Sequence, residues 1–289
     1  MATLRDIKRR IKAVESTSKI TKAMKMVSAA KFRKAQQRML EMRPYAERMN
    51  GILSSLASGA EGETHPLLMV RPRRNIEVLV MTSDRGLCGA FNTNIMKTAT
   101  RHIDELRREG YEVTIDVVGR KARDYYKRRG IEMRKAWTGI AGKISYANAQ
   151  EMAAEIIENY TNETTDEVVL IFNEFKSAIA QQVVISRLLP LAPIQAVEET
   201  LPIYNFIYEP SKQEIFSRLV PKNVEIQIFR ALLESQASEE AARMAAMENA
   251  TRAANDMIGS LTLQFNKARQ ASITKELMDI VGGVEAMKG

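Results

Sequence analysis

The chain has 289 residues, of which 45% are hydrophobic and 27% are charged, and its formal net charge is +8. This length suits one or two domains, and the composition is that of an ordinary globular protein. The single cysteine, Cys88, excludes an intrachain disulfide framework, and we expect it to be a small buried hydrophobic residue. Apolar runs all fall short of the roughly 18 residues that a membrane helix needs, so we expect any membrane association to go through other proteins.

The positive charge is concentrated at the N-terminus. Residues 1–56 contain fourteen Lys or Arg against four Asp or Glu, whereas residues 212–289 contain ten of each sign. A basic helix beside a near-neutral one predicts an acidic partner surface. The positive charge of residues 1–56, taken by itself, is explained equally well by a solvent-exposed helix face that binds no partner.

A long helical repeat opens the chain. From Leu4 onward, apolar or small residues alternate in steps of three and four, and Lys25 is the only charged residue among them. The positions are Leu4, Ile7, Ile11, Val14, Ser18, Thr21, Lys25, Ser28, Phe32, Ala35, Met39, Met42, Ala46, Met49, Leu53 and Leu56. This spacing predicts one long helix with a heptad seam. Pro44 lies inside it and is expected to bend the helix near residues 39–42.

A second long helix is predicted from about Ser211 to Val281, because the next helix-stopping signal is Gly282-Gly283. Its heptad seam contains Met244, Met247, Thr251, Ala254, Ile258, Leu261, Phe265, Ala268 and Ser272. A helix of this length cannot bury its stripe on itself, so we expect the two terminal helices to form an antiparallel coiled coil. Small Ala, Ser and Thr residues in both seams allow close approach and predict a thin, stiff rod.

The middle of the chain alternates strands and helices. Strands are predicted at residues 76–82, 111–118, 131–137, 167–175 and 182–189, and helices at 94–108, about 121–130 and 145–160. This order predicts a doubly wound, mainly parallel sheet covered on both faces. The fold class is therefore mixed: an α/β domain at 75–208, after a linker at 59–74, inserted between coiled-coil helices at 1–58 and 209–289.

The loop Ser83–Asn94, SDRGLCGAFNTN, follows the first strand, where a nucleotide-binding domain would place its phosphate loop. Gly86 and Gly89 give G-x-x-G, which matches neither a dinucleotide fingerprint nor a P-loop. A tight strand-to-helix turn is the better interpretation. A nucleotide-dependent enzyme remains an alternative, and tight ATP or NAD binding in calorimetry would support it.

Candidate catalytic groups are scarce. His65 and His102 lie in no triad or metal-ligand spacing. The pairs Glu198-Glu199 and Glu239-Glu240 occur in charge-rich stretches and are expected to be solvated surface. The aromatic stretch at residues 204–208 fits a sheet edge, core or interface. We therefore predict no catalytic, cofactor-binding or metal site.

Five motifs together carry a family resemblance. They are KITKAMKMV at 19–27, SDRGLCGAFN at 83–92, IYEPS at 207–211, EEAARMAAMENAT at 239–251 and ARQASITKEL at 268–277. As an ordered set they resemble the γ-subunit family of bacterial rotary F-type ATP synthases, and the resemblance spans the whole chain. It implies a non-catalytic rotor shaft on the cytoplasmic face of the cell membrane, without a cofactor. Ion-driven rotation would be coupled to ATP synthesis or hydrolysis.

The implied partners are a hexamer of three α and three β subunits, an ε subunit and a membrane ring of c subunits. The resemblance implies β-subunit contacts at Met24, Lys25, Arg269, Gln270, Thr274 and Glu276. It implies contacts with the c ring or ε at Tyr204, Tyr208 and Glu209, and an apolar bearing around residues 281–289.

A competing hypothesis is a nucleic-acid-binding protein whose basic coiled coil follows phosphates. Stacking aromatics would be expected along such a helix, yet residues 1–56 offer only Phe32 and Tyr45. This alternative predicts salt-dependent RNA or DNA binding that is lost when the first helix is neutralised.

Overall fold

The computed structural model describes residues 3–57, 65–140, 142–177, 181–191, 209 and 211–287. Within these ranges the helices are α1 (Leu4–Ala57), α2 (Phe91–Arg108), α3 (Arg120–Arg128), α4 (Tyr146–Thr161) and α5 (Lys212–Ala286), with a 3-10 turn at Pro66–Leu68. The strands are β1 (Asn75–Met81), β2 (Glu112–Val118), β3 (Lys135–Trp137), β4 (Glu167–Phe175) and β5 (Gln181–Leu189). Both predicted long helices and all five predicted strands are confirmed, but the third strand, predicted at 131–137, is only three residues long, Lys135–Trp137.

The chain divides into two compact units, and the division cuts both long helices. One unit contains residues 1–28 and 244–289, and the other contains residues 29–243. The predicted domain boundaries at 58/59, 74/75 and 208/209 stay a prediction, because much of the linker and of 192–208 lies outside the described residues.

In the unit of terminal segments, the heptad seam is confirmed. Thr3 begins α1 by accepting a hydrogen bond from the Asp6 N–H, while its own hydroxyl donates to the Asp6 carboxylate at 2.7 Å. Every seam position from Leu4 to Ser28 is buried or half-buried, as is every one from Met244 to Ser272.

The predicted end of α5 at Gly282-Gly283 is wrong, because the helix continues to Ala286 and is 75 residues long. Neither glycine adopts a positive φ. A glycine lowers helix stability by only about 1 kcal/mol and stops a helix only when another interaction turns the chain. Helix α1 likewise continues through Pro44, and the predicted bend there stays a prediction.

The sheet in the second unit has the strand order β3-β2-β1-β4-β5. Strands β1 to β4 are parallel to one another, and β5 is antiparallel to β4. One face, with Ile76, Val78 and Val80, packs against α2 and α3. The other face, with Leu79 and Met81, shares a core with α4 and the inner segments of α1 and α5. The predicted covering of both faces is confirmed.

The inner half of the α1 seam is therefore part of the α/β core. Phe32, Ala35, Met39, Met49 and Leu53 are buried in one cluster with sheet residues. The rings of Phe32 and Phe175 lie with centroids 5.4 Å apart. In this segment the seam residues thus contact a sheet as well as another helix.

Candidate interaction surfaces

Polar contacts join α1 and α5 across the seam of the terminal unit. The hydroxyls of Thr21 and Thr251 lie 2.7 Å apart, and Ser18 donates to the Asn255 side-chain oxygen at 2.9 Å. The Lys25 ammonium lies 2.8 Å from a Glu248 carboxylate oxygen. Residue numbers rise on α1 as they fall on α5, so the two segments are antiparallel, as predicted.

The contact between the two threonines leads to a stability prediction. Replacing Thr21 by valine keeps the shape but leaves the Thr251 hydroxyl with only its 2.8 Å hydrogen bond to the Met247 carbonyl of its own helix, so we expect a loss of about 1 kcal/mol. The double variant Thr21→Val/Thr251→Val should recover most of that loss, because two methyl groups then meet where the single variant places a methyl group against a hydroxyl. Thermal unfolding of the full chain, followed by circular dichroism at 222 nm, measures both effects.

Thr17→Val is the matched control for this cycle, since its hydroxyl donates only to Ala13 in its own helix, at 3.0 Å and in an exposed position. A Thr17→Val loss as large as that of Thr21→Val, or strictly additive losses in the double variant, would show that the interhelical contact adds no stability.

A basic groove runs along this part of the coiled coil. Its lining residues are Ser18, Lys19, Lys22, Lys25, Glu248, Thr251, Arg252 and Asn255. Four of these are cationic and one is anionic. Hydrogen bonding from Lys25 lowers the pKa of Glu248, so Glu248 is ionised at neutral pH and compensates one of the four positive charges.

Two residues of the predicted β-subunit contact lie at this groove. Met24 is half-buried beside Lys25, and the ammonium of Lys25 is paired with Glu248. An intramolecular partner for the only charged seam residue explains how lysine is accommodated there. Whether these two residues also contact another subunit stays a prediction.

The other four predicted contact residues lie on the last part of α5. Arg269, Gln270, Thr274 and Glu276 are all exposed, and Glu276 accepts a 3.3 Å hydrogen bond from the Ser272 hydroxyl. Large apolar side chains on the same segment are exposed as well. These are Ile273, Leu277, Met278, Ile280, Val281, Val284 and Met287. Polar and apolar groups thus alternate on a helix end that the described part of the chain does not cover.

The third predicted surface is only partly described. Tyr204 and Tyr208 lie outside the described residues, and Glu209 is exposed in a bend just before α5. Their proposed contacts with a c ring or an ε subunit stay predictions.

The loop after β1 is held by its own side chains. The Asn92 side-chain oxygen accepts hydrogen bonds from the Ser83 N–H and hydroxyl, both at 3.0 Å. The Asn92 amide group donates to the Ser83 hydroxyl at 2.8 Å and lies 3.1 Å from the Cys88 sulfur. Cys88 is 1% exposed, which confirms its predicted burial, and desolvation raises the pKa of its thiol.

Asp84 places a carboxylate where a nucleotide-binding domain would hold phosphate. It accepts hydrogen bonds from the backbone N–H groups of Arg120 and Gly139, each at 3.0 Å. These two N–H groups are therefore already used, and the Asp84 carboxylate repels an anion. This geometry favours the structural interpretation of the loop.

The prediction that Glu239-Glu240 is solvated surface is wrong. Glu239 is 8% exposed and Glu240 is 6% exposed. Arg243, one turn further along α5, lies 2.5 Å from Glu239 and 3.1 Å from Glu240, and Lys31 of α1 lies 4.0 Å from Glu240. Burial raises the pKa of Glu239. The spacing of Arg243 at i+4 and i+3 from these carboxylates indicates the ion pairs but not their burial. The pair Glu198-Glu199 lies outside the described residues.

The two histidines lie apart, with His65 at a 3-10 turn and His102 half-buried on α2. The His65 ring nitrogen accepts a 3.2 Å hydrogen bond from the Leu67 N–H and caps the 3-10 turn.

Among the described residues there is no group of three or more His, Cys, Asp or Glu side chains that could hold a metal. No helix in the described part of the chain is both long and apolar enough to cross a membrane.

Comparison with known proteins decides the family. Residues 3–287 match a protein-family model that is described as "ATP synthase". The chain belongs to this family. It is 47% identical over 289 residues to the ATP synthase gamma chain of Geobacter metallireducens, and 49% identical over 291 residues to that of Anaeromyxobacter sp. strain K. Each match covers 100% of both chains. Family membership agrees with the resemblance found in the five motifs.

Solved structures show the same fold. A chain from the central stalk and c ring of Tetrahymena thermophila mitochondrial ATP synthase is 28% identical, with a TM-score of 0.59, over 80% of this chain and 99% of that one. A chain from the rotor of Euglena gracilis mitochondrial ATP synthase is 22% identical, with a TM-score of 0.65, over 93% and 98% of the two chains. The long terminal helices with an inserted sheet are therefore a known ATP synthase architecture.

Proposed function

We propose that this chain is the central rotor shaft, or γ subunit, of an F-type ATP synthase. It couples ion-driven rotation of a c ring to conformational change, and hence to ATP synthesis or hydrolysis, in a hexamer of three α and three β subunits. The observation that carries this proposal is full-length similarity to ATP synthase gamma chains. The antiparallel helices with interhelical polar contacts support it, because they suit a shaft.

In this function the chain itself makes and breaks no bonds. A shaft with different faces presents a different surface to each of three β subunits, so each rotational position favours a different nucleotide affinity at each site. Torque reaches the sites only if the shaft resists unwinding. Ion-pair and hydrogen-bond contacts at residues 18, 21 and 25 oppose sliding of one helix along the other.

The exposed end of α5 suits a surface that binds and releases during rotation. Arg269, Gln270, Thr274 and Glu276 offer charged and amide groups for a reversible hydrogen-bonded contact with a β subunit. The neighbouring apolar residues, including Leu277 and Val281, suit a bearing that excludes water without directional bonds.

The basic groove suits an acidic β-subunit surface. Residues Lys19, Lys22 and Arg252 leave it with excess positive charge after Lys25 is paired with Glu248. Oppositely charged surfaces attract over about 8 to 10 Å at physiological salt, so such contacts can form and break as the shaft turns. Met24 would add an apolar contact beside the groove.

We place the foot of the shaft, with Tyr204, Tyr208 and Glu209, against the c ring and the ε subunit. The chain would then be a peripheral protein at the cytoplasmic face of the cell membrane, attached through these partners. Glu209, which is exposed, is available for such a contact.

The direct test is affinity purification of the tagged chain from its native membranes, with an ATPase assay and a subunit count. We expect a Mg-ATPase that contains two larger subunits in threefold excess over this chain. Recovery of the chain alone, or with RNA, would contradict the rotor proposal and direct attention to nucleic-acid binding by the basic helix.

The contact at Arg269 can be tested in the purified complex. If Arg269 donates a charge-assisted hydrogen bond worth about 1.5 kcal/mol to a β subunit, Arg269→Ala should lower the rate of ATP hydrolysis about tenfold. Lys267→Ala is the matched control, because it removes an exposed cation from the same turn. Equal rates for the two variants, in complexes of the same subunit composition, would show that Arg269 makes no special contact.

A further inference from the structure

Two carboxylates are completely buried on neighbouring strands of the α/β unit. Glu77 on β1 and Asp116 on β2 are each 0% exposed. Asp116 is in register with Leu79, two residues beyond Glu77. Since alternate residues of a strand share a face, Glu77 and Asp116 lie diagonally on the face that also carries Leu79 and Met81.

One cationic side chain serves both carboxylates. The Arg134 Nη2 atom lies 2.6 Å from a Glu77 oxygen and also forms an ion pair and hydrogen bond with Asp116. Thr165, just before β4, donates to the second Glu77 oxygen at 3.2 Å. The Lys135 N–H donates to Asp116 at 2.9 Å. The Lys135 ammonium forms an ion pair with Glu155 of α4. Glu151, on the same helix, accepts a hydrogen bond from the Trp137 indole N–H.

Two buried negative charges on one guanidinium leave an excess charge in a desolvated site. Burying an uncompensated charge is costly, and two nearby carboxylates relieve the cost by sharing one proton. Desolvation is the larger cause, and repulsion from the Asp116 carboxylate is the second, of a pKa of Glu77 that is raised to about 8. A protonated Glu77 can donate to Asp116, and that hydrogen bond favours the neutral form of Glu77.

We propose that Glu77 and Asp116 form a proton-binding site that fastens β3 to the sheet, and that loss of the shared proton weakens this attachment. Strand β3 has only three residues and pairs with β2 at the edge of the sheet. The start of β3 is attached to β2 by three contacts. The Arg134 side chain and the Lys135 N–H both bind Asp116. The Arg134 N–H donates to the Ile115 carbonyl at 3.0 Å. When Glu77 becomes charged, it competes with Asp116 for the one guanidinium.

The direction of the pH dependence follows from the raised pKa of Glu77. The folded chain retains a proton that the unfolded chain releases near pH 4.5, the ordinary value for glutamate. The stabilisation is therefore complete below about pH 4.5 and decreases as pH rises, until it is lost near pH 8. This device concerns the α/β unit itself and does not depend on the rotor proposal.

Trp137, the only tryptophan, lies on β3 and is 6% exposed, so its fluorescence reports this edge of the sheet. We expect the urea midpoint of the full chain, followed by Trp137 fluorescence, to fall by about 1 M between pH 6 and pH 8.5. Glu77→Gln removes the titrating group and keeps its size, so its midpoint should change little over the same range.

Glu132→Gln is the matched control, because it removes an exposed carboxylate from the segment that leads into β3, and it should keep the pH dependence. An equal fall in Glu77→Gln, or no fall in the unmodified chain, would overturn the proposal. If Glu77→Gln does not fold, carboxyl carbon NMR of the unmodified chain decides: a glutamate titrating near pH 8 supports the site, and titration of every glutamate near pH 4.5 overturns it.

Discussion

Replacing Gly119 by alanine is expected to destabilise the α/β unit by about 4 kcal/mol, because strain and overpacking act at the same atom. Gly119 connects β2 to α3 with φ +94°. An alanine Cβ there would lie 2.3 Å from the Thr82 carbonyl oxygen and 2.9 Å from that of Ser83. Both are backbone atoms, so a side-chain rotation cannot relieve the contact.

The shift required would disturb two neighbouring strands. Gly119 donates its N–H to the Trp137 carbonyl at 2.8 Å, and the Thr82 N–H donates to the Val118 carbonyl at 2.8 Å. Urea unfolding followed by Trp137 fluorescence measures the loss directly. Gly130→Ala is the matched control, since Gly130 also has positive φ, +66°, but no atom within 4 Å of a new Cβ.

Backbone strain alone should make Gly130→Ala about 1 kcal/mol less stable. Equal losses in the two variants would mean that the close approach at Thr82 relaxes freely. The difference between them isolates the steric contribution, because both substitutions place alanine in the left-handed region.

Periodicity predicted the long helices and the strands because both signals are local. The seam residues from Leu4 to Ser28 are all buried or half-buried, whereas most other positions of their segment are exposed. The predicted strand at 167–175 agrees with β4 at both ends. The antiparallel direction of β5 was also available in the sequence. Only the short stretch 176–180 separates β4 from β5, and a parallel crossover needs a dozen or more residues.

Burial of charged residues was harder to predict, because it depends on segments far apart in the chain. Glu239 and Glu240 occur in a charge-rich stretch, and nothing local shows that α5 packs there against a sheet of residues 75–189. The proton-binding pair was missed for the same reason, since Glu77 and Asp116 meet only when β1 and β2 pair. Contacts with other subunits depend on chains that the sequence does not contain, so they stay predictions.

Removing the guanidinium of Arg243 is expected to lower the stability of the α/β unit by about 3–5 kcal/mol, because it leaves buried carboxylates without their cation. The Arg243 side chain is 9% exposed, and those of Glu239 and Glu240 are 10% and 8% exposed. Lys31 lies 4.0 Å from Glu240 and is half exposed, so it can replace only part of the lost interaction. Arg252→Ala, which removes an exposed cation from the same helix, should change stability by less than about 0.5 kcal/mol.

The cause can be separated from lost packing by removing the negative charges as well. In Arg243→Ala/Glu239→Gln/Glu240→Gln none of the three buried charges remains and Lys31 is half exposed to solvent, so we expect most of the lost stability to return. The pH dependence gives a second criterion. Since burial already raises the pKa of Glu239, the carboxylates of Arg243→Ala will take up protons readily, and the loss should be smaller at pH 5 than at pH 8. A loss that is independent of pH and not rescued by the glutamines would show that Arg243 stabilises the unit through the packing of its aliphatic stem.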